Sequence, residues 1–314
     1  MTGGATSEDR FADLPAGPRI AYRTHGPADG EPLVLVAGLG LDLTSWPDRF
    51  VDGLTGHGFH VVRFDNRDAG RSSRIAAPPP GRARQLLARP RPDAYDLSDM
   101  AADTTGLLDV LGIDRAHLVG MSMGGMIAQT LAALHPERVS TLTSIFSTTG
   151  ARRVGGPAWS TVARLIKPAP RTVEESVARH LDLVAHIGGL GFPPDEALER
   201  AWATTVWERT AGGRSGAPVA RQIDAIRASG DRTAQLGRIT APTLVVHGDR
   251  DLLVHPSGGR ATAAAIPGAR HVEIAGMGHH LAPGVLDRLT DLVTELARAH
   301  GARVAPAPSA GEPV

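Results

Sequence analysis

The run "HLVGMSMGGMIAQTLAAL", residues 117–134, constrains this chain more than any other stretch. It reads as an apolar β-rich segment passing directly into an apolar helical one. A serine, Ser122, is wedged at the joint between Gly120 and Gly124. A strand can pass that abruptly into a helix only through a strained turn with no side chains crowding it, which is the requirement that glycine two residues either side of the serine meets. The pattern G-x-S-x-G with a strand before and a helix after describes a nucleophile elbow, a turn that lifts one hydroxyl clear of a sheet. Because a helix starts at the next residue, the Met123 amide points towards that hydroxyl from a helix N-terminus, where the dipole favours developing negative charge. The bland reading of Ser122 is a small residue packing a tight turn.

The rest of the chain alternates in the same way. "PLVLVAGLG" (32–40) is a continuous apolar run ending in glycines, the signature of a central parallel strand. "RIAYRTHG" reads as an early, partly exposed strand, and "FHVVRFDNRDAGRSS" as a strand running into a polar loop. Residues 97–113 have helical spacing, a strand is expected at 116–120, a helix at 123–135 and a strand over "RVSTLTSIFS". "APTLVVHGDRD" and "ARHVEIAGMGHH" supply two late strands. This predicts an α/β fold, a mostly parallel twisted sheet flanked by helices on both faces.

Two stretches interrupt the alternation. Residues 77–92, rich in proline and arginine, read as a surface excursion. From 150 to 240 the strand signal vanishes and short amphipathic helices replace it, so the expected organisation is a core built from 1–149 and 241–300 with a helical lid at 150–240. The ends, 1–8 and a tail at 301–314, read as loose. No repeat at solenoid periods is visible.

Composition excludes several function classes. There are 33 Lys+Arg against 33 Asp+Glu, so no overall positive charge draws the chain to nucleic acid or an anionic membrane. The absence of cysteine removes disulfides, thiolate zinc sites and a cysteine nucleophile. His180, His186, His247 and His255 lack metal-site spacing and read as surface or core residues. The opening residues have no secretory pattern and no window is apolar enough to span a membrane, so a cytoplasmic location is expected.

A serine needs a base and a group that orients the base. In this strand order the acid and the histidine follow the serine, on loops after late strands. The first such loop holds Asp249 and Asp251, the second His279 and His280. Both should open at the carboxyl end of the sheet, on the Ser122 side.

With these residues in place the chain resembles the α/β-hydrolase superfamily and, more narrowly, bacterial esterases of the aclacinomycin methylesterase type. The matching stretches are "LVLVAGLGLDLTSWP", "FDNRDAGRSS", "HLVGMSMGGMIAQTLA", "PTLVVHGDRDLLVHP" and "GMGHHLAP". They cover the core and not the helical insertion. The resemblance implies Ser122 as nucleophile, Asp251 rather than Asp249 as acid, His279 rather than His280 as base, and the backbone amides of Leu39 and Met123 as oxyanion hole. Where relatives usually place a histidine before the glycine of the oxyanion loop, this chain has Ala37.

The expected activity is hydrolysis of a small to medium, fairly apolar carboxylic ester, with methyl esters of a polycyclic natural product as one subgroup. No cofactor, metal, nucleic acid or membrane partner is implied, and oligomeric state is left open. Enol-lactonases, carbon–carbon bond hydrolases, proline iminopeptidases and perhydrolases use the same triad, while a non-catalytic ligand receptor is the rival from another class. A peptidase would want a lid acid to hold a substrate amine; Glu174, Glu175, Asp195, Glu196 and Glu199 are the residues available, and each reads as a solvated helix face. Asp65 and Arg67 read as turn-holding residues. Trp202 and Trp207 read as helix core, with aromatic pocket walls shared with Trp159 as the alternative.

Overall fold

A computed structural model of the chain describes residues 8–300, apart from 16, 82, 85, 86, 88 and 211–215. The tail expected to be loose at 301–314 lies outside the described residues, as do residues 1–7. Eight strands form one sheet in the order β1-β2-β4-β3-β5-β6-β7-β8. They are β1 (Arg10–Asp13), β2 (Arg19–His25), β3 (Glu31–Val36), β4 (Phe59–Phe64), β5 (Ala116–Met121), β6 (Val139–Ile145), β7 (Thr243–Gly248) and β8 (Arg270–Ile274). β2 runs antiparallel to β1 and β4, and every other pairing is parallel. The fold class expected from the alternating pattern is therefore the observed one; β1, a short edge strand in a polar opening, is the strand that pattern does not reveal.

The continuous apolar runs of the central strands follow from burial on both faces. In β3, Val34 and Val36 join one core with Val62, Phe64, Leu118 and Ile127, while Leu33 and Leu35 point the other way into a second with Phe50, Val61, Val119 and Val293. The helices that cover these faces include α1 (Asp48–Gly56), α2 (Leu97–Val110), α3 (Met123–Leu134) and, further on, Ser257–Ala265 and Leu286–His300. α2 starts at a reciprocal cap in which Asp96 accepts from the Ser98 and Asp99 amides and Asp99 accepts from the Asp96 amide.

Between β6 and β7 the described chain is helical: α4 (Trp159–Leu165), α5 (Val173–Ile187), α6 (Glu196–Arg209), α7 (Gly216–Ser229) and α8 (Thr233–Leu236). α5 and α6 pack together around Val177, Val184, Ala203 and Val206. No helix among the described residues is long and apolar enough to cross a membrane.

The chain leaves β3 to build one side of the sheet through β4 and the other through β5, so the crevice between the carboxyl ends of β3 and β5 is a topological switch point. The loop after β3 carries Leu39 and the turn after β5 carries Ser122. The sheet thus brings together two segments that lie far apart in sequence.

Candidate active site

Ser122 sits at φ 55° and ψ −121°, between β5 and the first residue of α3. That left-handed conformation is costly for a residue with a side chain and persists only where the surroundings enforce it. The enforcement is close packing. A Cβ at Gly120 would lie 2.3 Å from the Gly124 carbonyl oxygen, and one at Gly124 would lie 2.0 Å from the Val36 carbonyl oxygen. The Ser122 amide donates to the Ile145 carbonyl at 2.9 Å, and the Ser122 carbonyl accepts from Ser147 Oγ at 2.8 Å. These contacts use the backbone of Ser122 and leave its hydroxyl to a partly open space. Among the described residues Ser122 Oγ makes no hydrogen bond with protein.

Asp251 and His279, predicted from two different loops, meet. His279 Nδ1 lies 2.7 Å from Asp251 Oδ2, while Asp251 Oδ1 accepts the amides of Leu253 and Val254, each at 2.8 Å. Burial opposes ionisation of Asp251, but the His279 charge and the hydrogen bonds from His247 and His279 outweigh it, and its carboxyl titrates well below the usual range. Asp249 is engaged elsewhere, accepting the Gly276 amide at 2.6 Å and so bracing the turn that leads to the histidines. The two carboxylates of one loop thereby have separate tasks.

The gap between Ser122 and His279 is bridged by residues at the end of β6. Phe146, at φ 36°, places its ring 4.3 Å from the His279 ring, and its neighbour Ser147 bonds the Ser122 carbonyl. The sequence singled out neither as part of the site. Phe146 thereby packs against the imidazole of His279. Among the described residues Ser122 Oγ and the His279 ring form no hydrogen bond.

The amide of Met123 is the first of α3, so the helix itself cannot satisfy it. The Leu39 amide lies in the turn after β3, whose Gly38 carbonyl accepts the Leu41 amide at 3.1 Å. That loop passes directly against the serine, since a Cβ at Gly38 would lie 3.3 Å from Ser122 Cβ. Among the described residues neither the Leu39 nor the Met123 amide has a protein acceptor.

Several surrounding residues differ from expectation. His280, the histidine the resemblance passes over as base, is largely buried and lies 2.9 Å from Glu199 of α6. Glu199 is not on a solvated face: its side chain is 14% exposed and also receives His180 at 2.7 Å. Burial there is offset by the two histidines, which hold the Glu199 carboxyl down to about 2. Glu174, Glu175, Asp195 and Glu196 are exposed as expected. Asp65 holds loop backbone as expected, accepting the Leu43 and Arg71 amides, each at 2.7 Å, whereas Arg67 reaches out of its loop to α2 in a two-point pair with Asp103. Trp202 and Trp207 are half-buried, whereas Trp159 is 87% exposed. A cavity of about 100 Å³ lined by Arg67, Tyr95, Arg91, Arg221 and Asp224 does not include Ser122.

Residues 31–282 match the alpha/beta hydrolase fold family, and the chain belongs to it. It is similar to rhodomycin D methylesterase DnrP of Streptomyces peucetius, with 33% identity over 87% of this chain and 92% of that one. Rhodomycin D methylesterase DauP of Streptomyces sp. strain C5 matches at the same identity and coverage. Among solved structures, the enol-lactonase from Burkholderia xenovorans LB400 superposes with a TM-score of 0.71 and 27% identity, over 92% of this chain and all of that one. A hydrolase from Pseudomonas aeruginosa superposes with a TM-score of 0.67 and 28% identity, over 95% of this chain. The family and these relatives make the chain a hydrolase, and the narrower resemblance to methylesterases is matched by relatives of that kind.

Proposed function

We propose that the protein is a serine hydrolase that cleaves a carboxylic ester through Ser122, His279 and Asp251. The observation that carries this reading is the buried Asp251–His279 pair at 2.7 Å, backing a serine held in a strained turn with its hydroxyl uncommitted. Asp251 fixes the tautomer in which Nδ1 carries the proton, leaving Nε2 to accept the proton of Ser122 as Oγ attacks the ester carbonyl. The amides of Leu39 and Met123 take the oxyanion, and collapse of the intermediate expels the alcohol protonated by His279. Water, deprotonated by the same imidazole, then releases the acid and frees Ser122.

The preferred substrate is a fairly apolar ester of small to medium size. Support comes from apolar side chains at the site, Leu41 beside Gly38 of the oxyanion loop and Phe146 against the His279 ring, and from the similarity to methylesterases over nearly the whole chain. Methyl esters of a polycyclic natural product are the first substrates to try. The similarity to an enol-lactonase favours a lactone, a cyclic ester open to the same steps, as the second reading. A peptidase reading loses one of its five candidate amine-binding acids, because Glu199 is already paired with His180 and His280.

The test is release of p-nitrophenol from p-nitrophenyl acetate, followed by a panel of methyl, acetyl, lactone and aminoacyl substrates ranked by kcat/KM. Ser122→Ala should remove the burst and lower kcat by about 10⁶-fold, the scale on which a lone nucleophile deletion acts. Persistence of turnover in that variant, or a preference for aminoacyl amides, overturns the proposal.

A further inference from the structure

The loop that offers the Leu39 amide is fastened chiefly by the helical insertion. Gly38 to Leu41 form a tight turn closed by the Leu41 amide on the Gly38 carbonyl at 3.1 Å, with Gly40 at φ 64° in its third position. A turn of this kind can flip its central peptide unless something holds it, and the group that emerges from that peptide is the Gly40 N–H. It donates to Gln222 Oε1 of α7 at 2.7 Å. The other end of the same amide is fixed too: Gln222 Nε2 donates to the Arg67 carbonyl at 2.8 Å, and the side chain is fully buried. Only one orientation of a glutamine satisfies both partners, an acceptor towards Gly40 and a donor towards Arg67.

Two residues of α6 grip the same loop further along. Arg209 Nη1 donates to Asp42 Oδ2 at 2.8 Å, and Trp202 Nε1 donates to Thr44 Oγ1 at 3.1 Å. The core contributes Asn66, whose Nδ2 donates to the Ala37 carbonyl at 3.0 Å, and Asp65, which accepts the Leu43 amide. Of these contacts, Gln222 holds the peptide that follows the Leu39 donor, the one whose N–H belongs to Gly40, while Asn66 holds the one that precedes it. Ala37 has no polar side chain with which to brace the loop from within.

We propose that Gln222 is a positioning residue for the oxyanion hole, holding the Leu39–Gly40 peptide so that the Leu39 N–H faces the oxygen of the carbonyl group attacked by Ser122. This rests on the reading of Leu39 as an oxyanion donor. Gln222 touches neither substrate nor triad; its action passes through the Gly40 amide. An isosteric apolar replacement leaves the volume filled and removes both hydrogen bonds, freeing the turn. The rate should then fall because oxyanion stabilisation is realised in the transition state, while binding of the neutral ester is little changed.

The experiment compares wild type, Gln222→Met and Gln222→Glu on p-nitrophenyl acetate, with thermal melts to confirm that each is folded at the assay temperature. Gln222→Met should lower kcat by about 10-fold, less than the roughly 10²–10³-fold that follows outright removal of a donor, with KM within about twofold of wild type. Gln222→Glu should be rescued at low pH: a neutral carboxyl accepts from Gly40 and donates to Arg67, whereas the ionised form turns a second acceptor on the Arg67 carbonyl. Its kcat relative to wild type should therefore fall as pH rises. Hydrogen exchange at the Gly40 amide should speed up in Gln222→Met, a readout independent of turnover. Unchanged kcat in folded Gln222→Met, a loss confined to KM, or unaltered Gly40 exchange overturns the proposal. Absence of Ser122-dependent turnover in wild type overturns the oxyanion reading itself, and that failure is distinguishable because it shows before any substitution at 222.

Discussion

The serine turn and the histidine loop reach the same crevice by different means. Ser122 is held from within the core: Gly120 and Gly124 let α3 and β3 close on it, and Ile145 and Ser147 fix its backbone. The histidine loop is held from outside. The His279 amide donates to the Ile187 carbonyl at 2.7 Å, the Gly278 amide to Gly188 at 3.0 Å, and Gly191 donates back to Gly276 at 3.0 Å. All three partners belong to the end of α5 and the turn after it. The proposed nucleophile is therefore held by the sheet, whereas the proposed base, like the proposed oxyanion loop, takes its position partly from the helical insertion. Substrate that displaces the insertion should disturb the base and the oxyanion loop before it disturbs the serine.

Asp251→Asn tests the base side most severely. The substitution keeps the shape of the site but reverses the hydrogen-bond preference at His279 Nδ1, and about a 10⁴-fold loss of kcat is expected where an orienting acid is so replaced. A comparable loss at Asp249→Asn, with Asp251 intact, would contradict the separate tasks assigned to the two carboxylates. The core side is tested by Gly124→Ala. A methyl there meets the Val36 carbonyl oxygen at 2.0 Å, so backbone must move, and a loss of more than about 3 kcal/mol is expected, at or beyond the usual overpacking range. Chemical denaturation measures it; a variant as stable as wild type would show that the turn is looser than its packing implies.

The same contrast explains what the sequence discloses. A core-held site is written locally: G-x-S-x-G, the apolar run before it and the helical run after it are adjacent, so Ser122 and the Met123 amide follow from one stretch of chain. Asp251 and His279 lie at the ends of recognisable strands, yet the choice against Asp249 and His280 came from resemblance, because a turn aspartate and a base-orienting aspartate look alike in sequence. The insertion contacts left no such trace. Gln222, Glu199 and Arg209 sit on helices whose pattern shows which faces are apolar but not which polar side chain reaches a distant loop. The contact of Phe146 with His279 is hidden for a related reason: a positive φ in a phenylalanine arises from tertiary packing and has no local signal.

Glu199 gives the mildest test and the one most specific to the insertion. Its carboxylate joins α6 to His180 of α5 and to His280, the neighbour of His279, so it ties two insertion helices to the histidine loop. Its pKa falls from the ordinary 4.5 to about 2, a depressed carboxyl, so its stabilisation is fully present above about pH 4.5 and is lost as pH falls towards 2. Glu199→Gln should lower stability at pH 7 by up to about 3 kcal/mol and flatten the acid side of the stability profile between those two values. Because His280 adjoins His279, the substitution should also reduce kcat modestly, within about tenfold on the scale of supporting groups that act through a neighbour. A profile that keeps its full acid slope in the variant would place the linkage on other carboxylates and leave the histidine loop held by its backbone contacts to residues 187–191 alone.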